Sequence, residues 1–119
     1  MENIHRVPNI PELSRFKDGD IINFGEVIAT LPKSVREKLA EGFDMKCFAK
    51  VFEDADMMST IDSFLENGMN VSQAARTLYM HRNTLIYRLN SVKRLTGLDL
   101  RNFEMATTFM LLHYLYLLK

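Results

Sequence analysis

Val71-Ser72-Gln73-Ala74-Ala75-Arg76-Thr77-Leu78-Tyr79-Met80-His81-Arg82-Asn83-Thr84-Leu85-Ile86-Tyr87-Arg88-Leu89-Asn90-Ser91-Val92-Lys93-Arg94-Leu95-Thr96-Gly97 is the stretch on which the fold turns. Ser72 is a competent N-cap for a short helix over residues 73–78. After the link Tyr79-Met80-His81, a longer helix is expected over residues 82–96, because Leu85, Leu89 and Val92 recur at spacings of four and three on one face. Gly97 stands where such a helix ends.

A short helix, a tight turn and a longer helix within about 25 residues is the layout of the helix-turn-helix, whose second helix enters the DNA major groove. Ala74 and Ala75 supply small side chains where the two helices must cross closely. Over residues 71–96 the charged residues are Arg76, Arg82, Arg88, Lys93 and Arg94, with no acid among them. The whole chain hides this patch: its 119 residues carry 15 basic and 15 acidic side chains. Residues 1–55 hold eight basic against ten acidic groups, net −2, and residues 56–119 hold seven against five, net +2.

On the face opposite the leucines lie Asn83, Tyr87, Asn90, Ser91 and Arg94, with Arg82 and Thr84 at the helix start. Arg suits guanine, Asn suits adenine, and Thr, Tyr and helix-start amides suit phosphate oxygens. The base-edge candidates are Arg82, Asn83, Thr84, Tyr87 and Arg88, and the phosphate candidates are Ser72, Gln73, Arg76, Lys93 and Arg94. Taken alone, Arg82-Asn83-Thr84 would sooner be read as capping and solvating a helix start; inside the full motif that order reverses and they read as DNA contacts. Arg88 has two destinations, a phosphate or a carboxylate such as Asp62.

Outside this core, Ile61, Phe64 and Leu65 mark an amphipathic helix ending at Asn67-Gly68, and Asn102 can cap a last helix running to the C-terminus. Residues 23–55 read as a short helical segment. Phe24, Val27, Ile28 and Leu31 keep a helical period up to Pro32, Ser34 and Glu37 have capping-box spacing with Gly42 placed to end that helix, and Asp44 can cap a third helix holding Phe48, Val51 and Phe52. Residues 1–22, with Pro8, Pro11 and Asp18-Gly19-Asp20, read as an irregular arm.

The run His81-Arg82-Asn83-Thr84-Leu85, then Tyr87-Arg88-Leu89, followed by Leu95-Thr96-Gly97-Leu98-Asp99-Leu100, resembles the C-terminal domain of the PucR/CdaR regulators, over residues 56–119. That resemblance implies an all-α helical bundle containing a Fis-like helix-turn-helix, a bacterial transcription regulator, double-stranded DNA as partner and a dimer presenting two recognition helices. It also implies a sensory region ahead of the domain, for which residues 1–55 are too short, so no small-molecule effector is identified. Many helix-turn-helix turns place Gly where this chain has Tyr79; if that position takes positive φ, packing of the ring is expected to offset a cost of about 1 kcal/mol.

The remaining readings are mostly exclusions. Cys47 is the only cysteine and His5, His81 and His113 show no paired spacing, so neither a metal site nor a cofactor is expected, and His81 reads as a structural turn residue. No phosphate loop, nucleophile motif or supported carboxylate pair points to an enzyme. The N-terminus lacks a secretory signal, and residues 105–118 fall short of the roughly 20 needed for a membrane span, so a cytoplasmic protein is expected. That last helix is apolar nearly all round, which predicts a symmetric dimer packed through residues 105–118. The competing reading is a protein-interaction or dimerisation module related to such regulators, without DNA binding of its own.

Overall fold

The computed structural model describes residues 24–119; the arm expected over residues 1–22 lies outside them. Among the described residues there are seven α-helices and no strand: α1 (Phe24–Ala29), α2 (Lys33–Ala40), α3 (Met45–Phe52), α4 (Ala55–Glu66), α5 (Val71–Thr77), α6 (Arg82–Thr96) and α7 (Phe103–Leu118). They form two compact units, one of Phe43–Phe109 and one of residues up to Gly42 together with Met110–Lys119.

In the larger unit the core is built from one stripe of each helix. Phe48 and Val51 of α3, Ile61 and Phe64 of α4, Ala74 of α5, Leu85, Leu89 and Val92 of α6, Leu100 and Phe109 are essentially inaccessible. Phe52 and Phe109 meet edge to face at 5.3 Å, the geometry that aromatic quadrupoles favour. The sequence groups α3 with residues 23–55, yet it packs on α6 and α4. Its apolar stripe, Phe48, Val51 and Phe52, therefore closes the underside of the helix-turn-helix.

Side-chain caps set where these helices begin. Asp44 accepts from the Lys46 N–H and Asp54 from the Met57 N–H, each filling a donor that the first helical turn leaves unpaired. Asn102 does the same for the Met105 N–H at 3.0 Å, in the role its position suggested. The capping box expected at Ser34 and Glu37 is not formed. α2 already starts at Lys33, behind Pro32 with φ −56° and no side-chain cap, so Ser34 lies inside the first turn. Nor does Gly42 end α2, which stops at Ala40 with Glu41 as its C-cap in ordinary helical φ.

In the smaller unit, α1 lies against the C-terminal part of α7, with Phe24 and Tyr114 edge to face at 6.0 Å. Gly25 is the residue that permits this, since a Cβ there would fall 2.6 Å from the Tyr114 ring. The Arg36 guanidinium donates to the Leu118 carbonyl at 3.2 Å, satisfying one of the orphan acceptors at the end of α7. No helix among the described residues is long and apolar enough to cross a membrane.

Candidate nucleic-acid interface

α5, the turn and α6 are held by backbone geometry before any surface residue matters. Asn70, not Ser72, caps α5: its Oδ1 accepts from the Gln73 N–H at 2.9 Å. The helix starts at Val71, two residues earlier than the sequence suggests, which moves Ser72 into the first turn and leaves it exposed beside Gln73. Arg76 follows one turn later and donates to Gln73 Oε1 at 2.5 Å, so Ser72, Gln73 and Arg76 share one exposed face. On the other face Ala74 and Ala75 are buried, and their small side chains allow α5 to approach α4 and α6.

His81 is more than a turn residue. Its Nδ1 accepts from the Asn83 N–H at 3.0 Å and caps α6. Imidazole does this only as the neutral tautomer with its proton on Nε2, so the cap also fixes the ring's orientation. Sequence reasoning missed it because His is not among the usual capping residues. The cap fixes the start of α6, where Arg82, Asn83 and Thr84 are consecutive exposed residues. Leu85, Leu89 and Val92 on the opposite side are fully buried. Gly97, at φ 81°, ends the helix by donating to the Lys93 carbonyl at 2.8 Å.

Farther along the outer face, Tyr87 is 65% exposed, and the Arg94 guanidinium lies 5.8 Å from its ring centre in cation–π range. Arg94 also donates to Ser91 Oγ at 3.0 Å. Arg88 turns inward instead. Its Nη1 donates to Thr60 Oγ1 at 2.7 Å and reaches the Asp56 carbonyl at 3.5 Å, so it ties α6 to α4 through a buried hydroxyl and not through the Asp62 carboxylate.

A further cation emerges that sequence reasoning passed over. Arg101, from the loop after α6, donates through Nη2 to Asn90 Oδ1 at 2.6 Å and through Nε to Asp99 Oδ1 at 2.8 Å. The Arg101 Nε bond, with the Arg101 backbone N–H donating to the same oxygen at 3.0 Å, holds the Asp99 carboxyl below the usual carboxylate range, and Lys93 at 4.0 Å adds to the effect. Asn90 thus has its carbonyl oxygen already accepting from Arg101, while its amide N–H groups remain donors by type. Only the Asp99-x-Arg101 spacing could have signalled this clamp.

The turn itself departs from expectation. Tyr79 takes the left-handed conformation at φ 53°, so the condition set at that position is met. Its ring does not pack: the residue is 97% exposed, so the conformational cost of about 1 kcal/mol is not offset within the described chain.

Residues 57–113 match the family model described as the PucR C-terminal helix-turn-helix domain. The chain is 33% identical over 79 residues to the purine catabolism regulatory protein of Bacillus subtilis (strain 168), covering 66% of this chain and 15% of that protein. It is 42% identical over 45 residues to the carbohydrate diacid regulator of Escherichia coli (strain K12), covering 38% of this chain and 12% of the relative. Against the DNA-binding transcriptional activator AdeR of Bacillus subtilis (strain 168) it is 35% identical over 57 residues, 48% of this chain and 14% of that activator. The chain therefore spans less than a fifth of each of these regulators, and no solved structure matches it. By the helices from α4 into α7 and by this match, residues 57–113 are a PucR C-terminal helix-turn-helix domain, like that of the regulators to which the chain is similar.

Proposed function

We propose that this chain is the sequence-specific DNA-binding part of a bacterial, cytoplasmic transcription regulator that places α6 in the major groove. The observation that carries the reading is the run Arg82-Asn83-Thr84, exposed at the capped start of a helix whose opposite stripe is fully buried, in a segment with five basic residues and no acid. At 15 residues α6 is about 22 Å long, and the major groove, roughly 12 Å wide, admits a helix of that kind.

Arg82, Asn83, Thr84 and Tyr87 are the groups proposed to face base edges. Arg88 keeps part of its guanidinium for Thr60 and acts on the bases chiefly by fixing the angle of α6. Ser72, Gln73, Arg76, Lys93 and Arg94 are proposed to meet the phosphates on either side of the groove, which fixes register without reading sequence. The functional domain is proposed to cover residues 56–119, with α3 as its buttress.

Lys93, 57% exposed along its side chain, supplies a graded test. Lys93→Ala is expected to weaken binding to unrelated duplexes alike and to reduce the slope of log K against log salt by about one unit. Anisotropy titrations at several salt concentrations measure both. If the chain shifts no duplex but retains a full-length relative in a pulldown, it is an interaction module and the DNA reading fails.

A second copy is the proposed protein partner. On α7, Ala106, Phe109, Leu112 and Leu115 are buried, while Met105 is 39% and Leu117 61% exposed, leaving apolar surface for a symmetric contact through residues 105–118. Light scattering at micromolar concentration is expected to give twice the 13.8 kDa chain mass; a mass of one chain counts against the dimer.

A further inference from the structure

Two helices of the larger unit end with the same hydrogen-bond pattern but with very different residues at its decisive position. At the end of α4, Gly68 N–H donates to the Leu65 carbonyl at 3.1 Å and Met69 N–H to the Phe64 carbonyl at 2.9 Å. At the end of α5, Tyr79 N–H donates to the Arg76 carbonyl at 3.1 Å and Met80 N–H to the Ala75 carbonyl at 3.0 Å. Both are Schellman closures, in which the first residue past the cap must adopt positive φ: 66° at Gly68 and 53° at Tyr79. Glycine takes that conformation freely, whereas a side chain is penalised. Backbone geometry alone therefore favours glycine at both places.

Nothing inside the described chain accounts for tyrosine at the second. The residue is 97% exposed, so its ring buries no apolar surface, and its hydroxyl has no partner among the described residues. Strain that the free protein does not repay is a feature of functional positions, where the return comes on binding. The surroundings indicate what would repay it. Arg76 and Arg82 stand three residues to either side, both exposed, and the segment over residues 71–96 contains no acid. The start of α6, which the proposed function puts in the groove, follows three residues later.

We infer that Tyr79 is a DNA-backbone contact, with its ring against the sugar-phosphate strand bordering the groove and its hydroxyl donating to a phosphate oxygen. Tyrosine hydroxyls are among the donors that hold phosphates in protein–DNA complexes, and Arg76 and Arg82 make a polyanionic strand the complementary surface. The inference rests on the proposed DNA-binding function. It adds to that function a residue outside α5 and α6, and it explains why the turn carries a penalised side chain.

The test uses the full chain, the variants Tyr79→Gly and Tyr79→Phe, and two unrelated labelled duplexes of about 30 base pairs, long enough for half-sites one helical turn apart. Tyr79→Gly relieves the left-handed tyrosine, so its Tm is expected to stay level or rise by a few degrees while affinity for both duplexes falls about fivefold. Tyr79→Phe, with the ring kept and the hydroxyl gone, is expected to hold its Tm and to lose a smaller factor than Tyr79→Gly, alike on both duplexes. If both variants bind like the parent chain, or if Tyr79→Gly lowers Tm and shows the ring to be structural, the assignment is overturned. Loss on one duplex alone overturns the phosphate contact as well. A parent chain that binds neither duplex at low salt overturns the DNA reading itself, an outcome distinct from normal parent binding with unaffected variants.

Discussion

Arg82→Ala is expected to weaken binding to a preferred site by about 1–3 kcal/mol, roughly ten- to a hundredfold, and to relax the preference at one base position. Arg82 is the first residue of α6 and exposed, and among the described residues it makes none of the side-chain hydrogen bonds that occupy Arg76, Arg88, Arg94 and Arg101. A guanidinium in that state can present both of its parallel N–H donors to guanine O6 and N7, which point charges cannot imitate. Stability should barely change, because Arg82 is exposed. Titrations against the preferred duplex and its single-base variants, with melting curves alongside, separate the two quantities. Parent-like affinity in Arg82→Ala would mean that the recognition surface lies elsewhere.

The second large effect concerns folding. Leu89→Ala is expected to cost about 2–5 kcal/mol, the sum of lost transfer energy and a cavity that the packed helices cannot close. Leu89 is wholly buried on the inward stripe of α6 between Leu85 and Val92, where α3, α4 and α5 converge. Domains of this size hold only about 5–15 kcal/mol in total, so the change takes much of the margin. Urea unfolding should show a lowered midpoint with little change in slope. A loss below about 1 kcal/mol would show that the site relaxes and that Leu89 is not a keystone of the unit.

The two substitutions act on opposite faces of one helix, and that helix was the most legible element in the chain. Leucines at positions 85 and 89, valine at 92 and glycine at 97 combine a helical period with a stop, and the helix follows them to the residue. Asp44 and Asn102 were readable as caps for the same reason, since each sits immediately before an apolar period. Caps became illegible where competent residues crowd. Asn70 and Ser72 can each cap α5, and the choice depends on whether Val71 is already helical, which packing decides. His81 as a cap follows from ring geometry that residue preference does not encode.

Interactions across distance were harder still. Arg88 meets Thr60 across 28 positions, a pairing set by the angle between α4 and α6. Sequence spacing offered Asp62 as a partner, but Asp62 lies two residues away from Thr60 on a helix and so faces elsewhere. Arg101 reaches Asn90 because the loop after Gly97 folds back along α6. Tyr79 shows both sides: the positive φ set as a condition at that position is met, while the packing expected of its ring fails because no neighbour covers it among the described residues. Although Arg88 is half-buried and Ser91, expected on the outer face, is buried, the exposure of Arg82, Asn83, Thr84 and Tyr87 among the candidate side chains of α6 was readable. Which of those side chains are already engaged by the protein was not.

The central claim, that α6 reads DNA sequence, is tested most directly by selecting bound sites from a random duplex pool with the whole 119-residue chain. Enrichment of an inverted repeat with half-sites about one helical turn apart is expected, and loss of that enrichment with Arg82→Ala although duplex affinity at low salt persists. A folded chain that enriches no sequence over repeated rounds would contradict it.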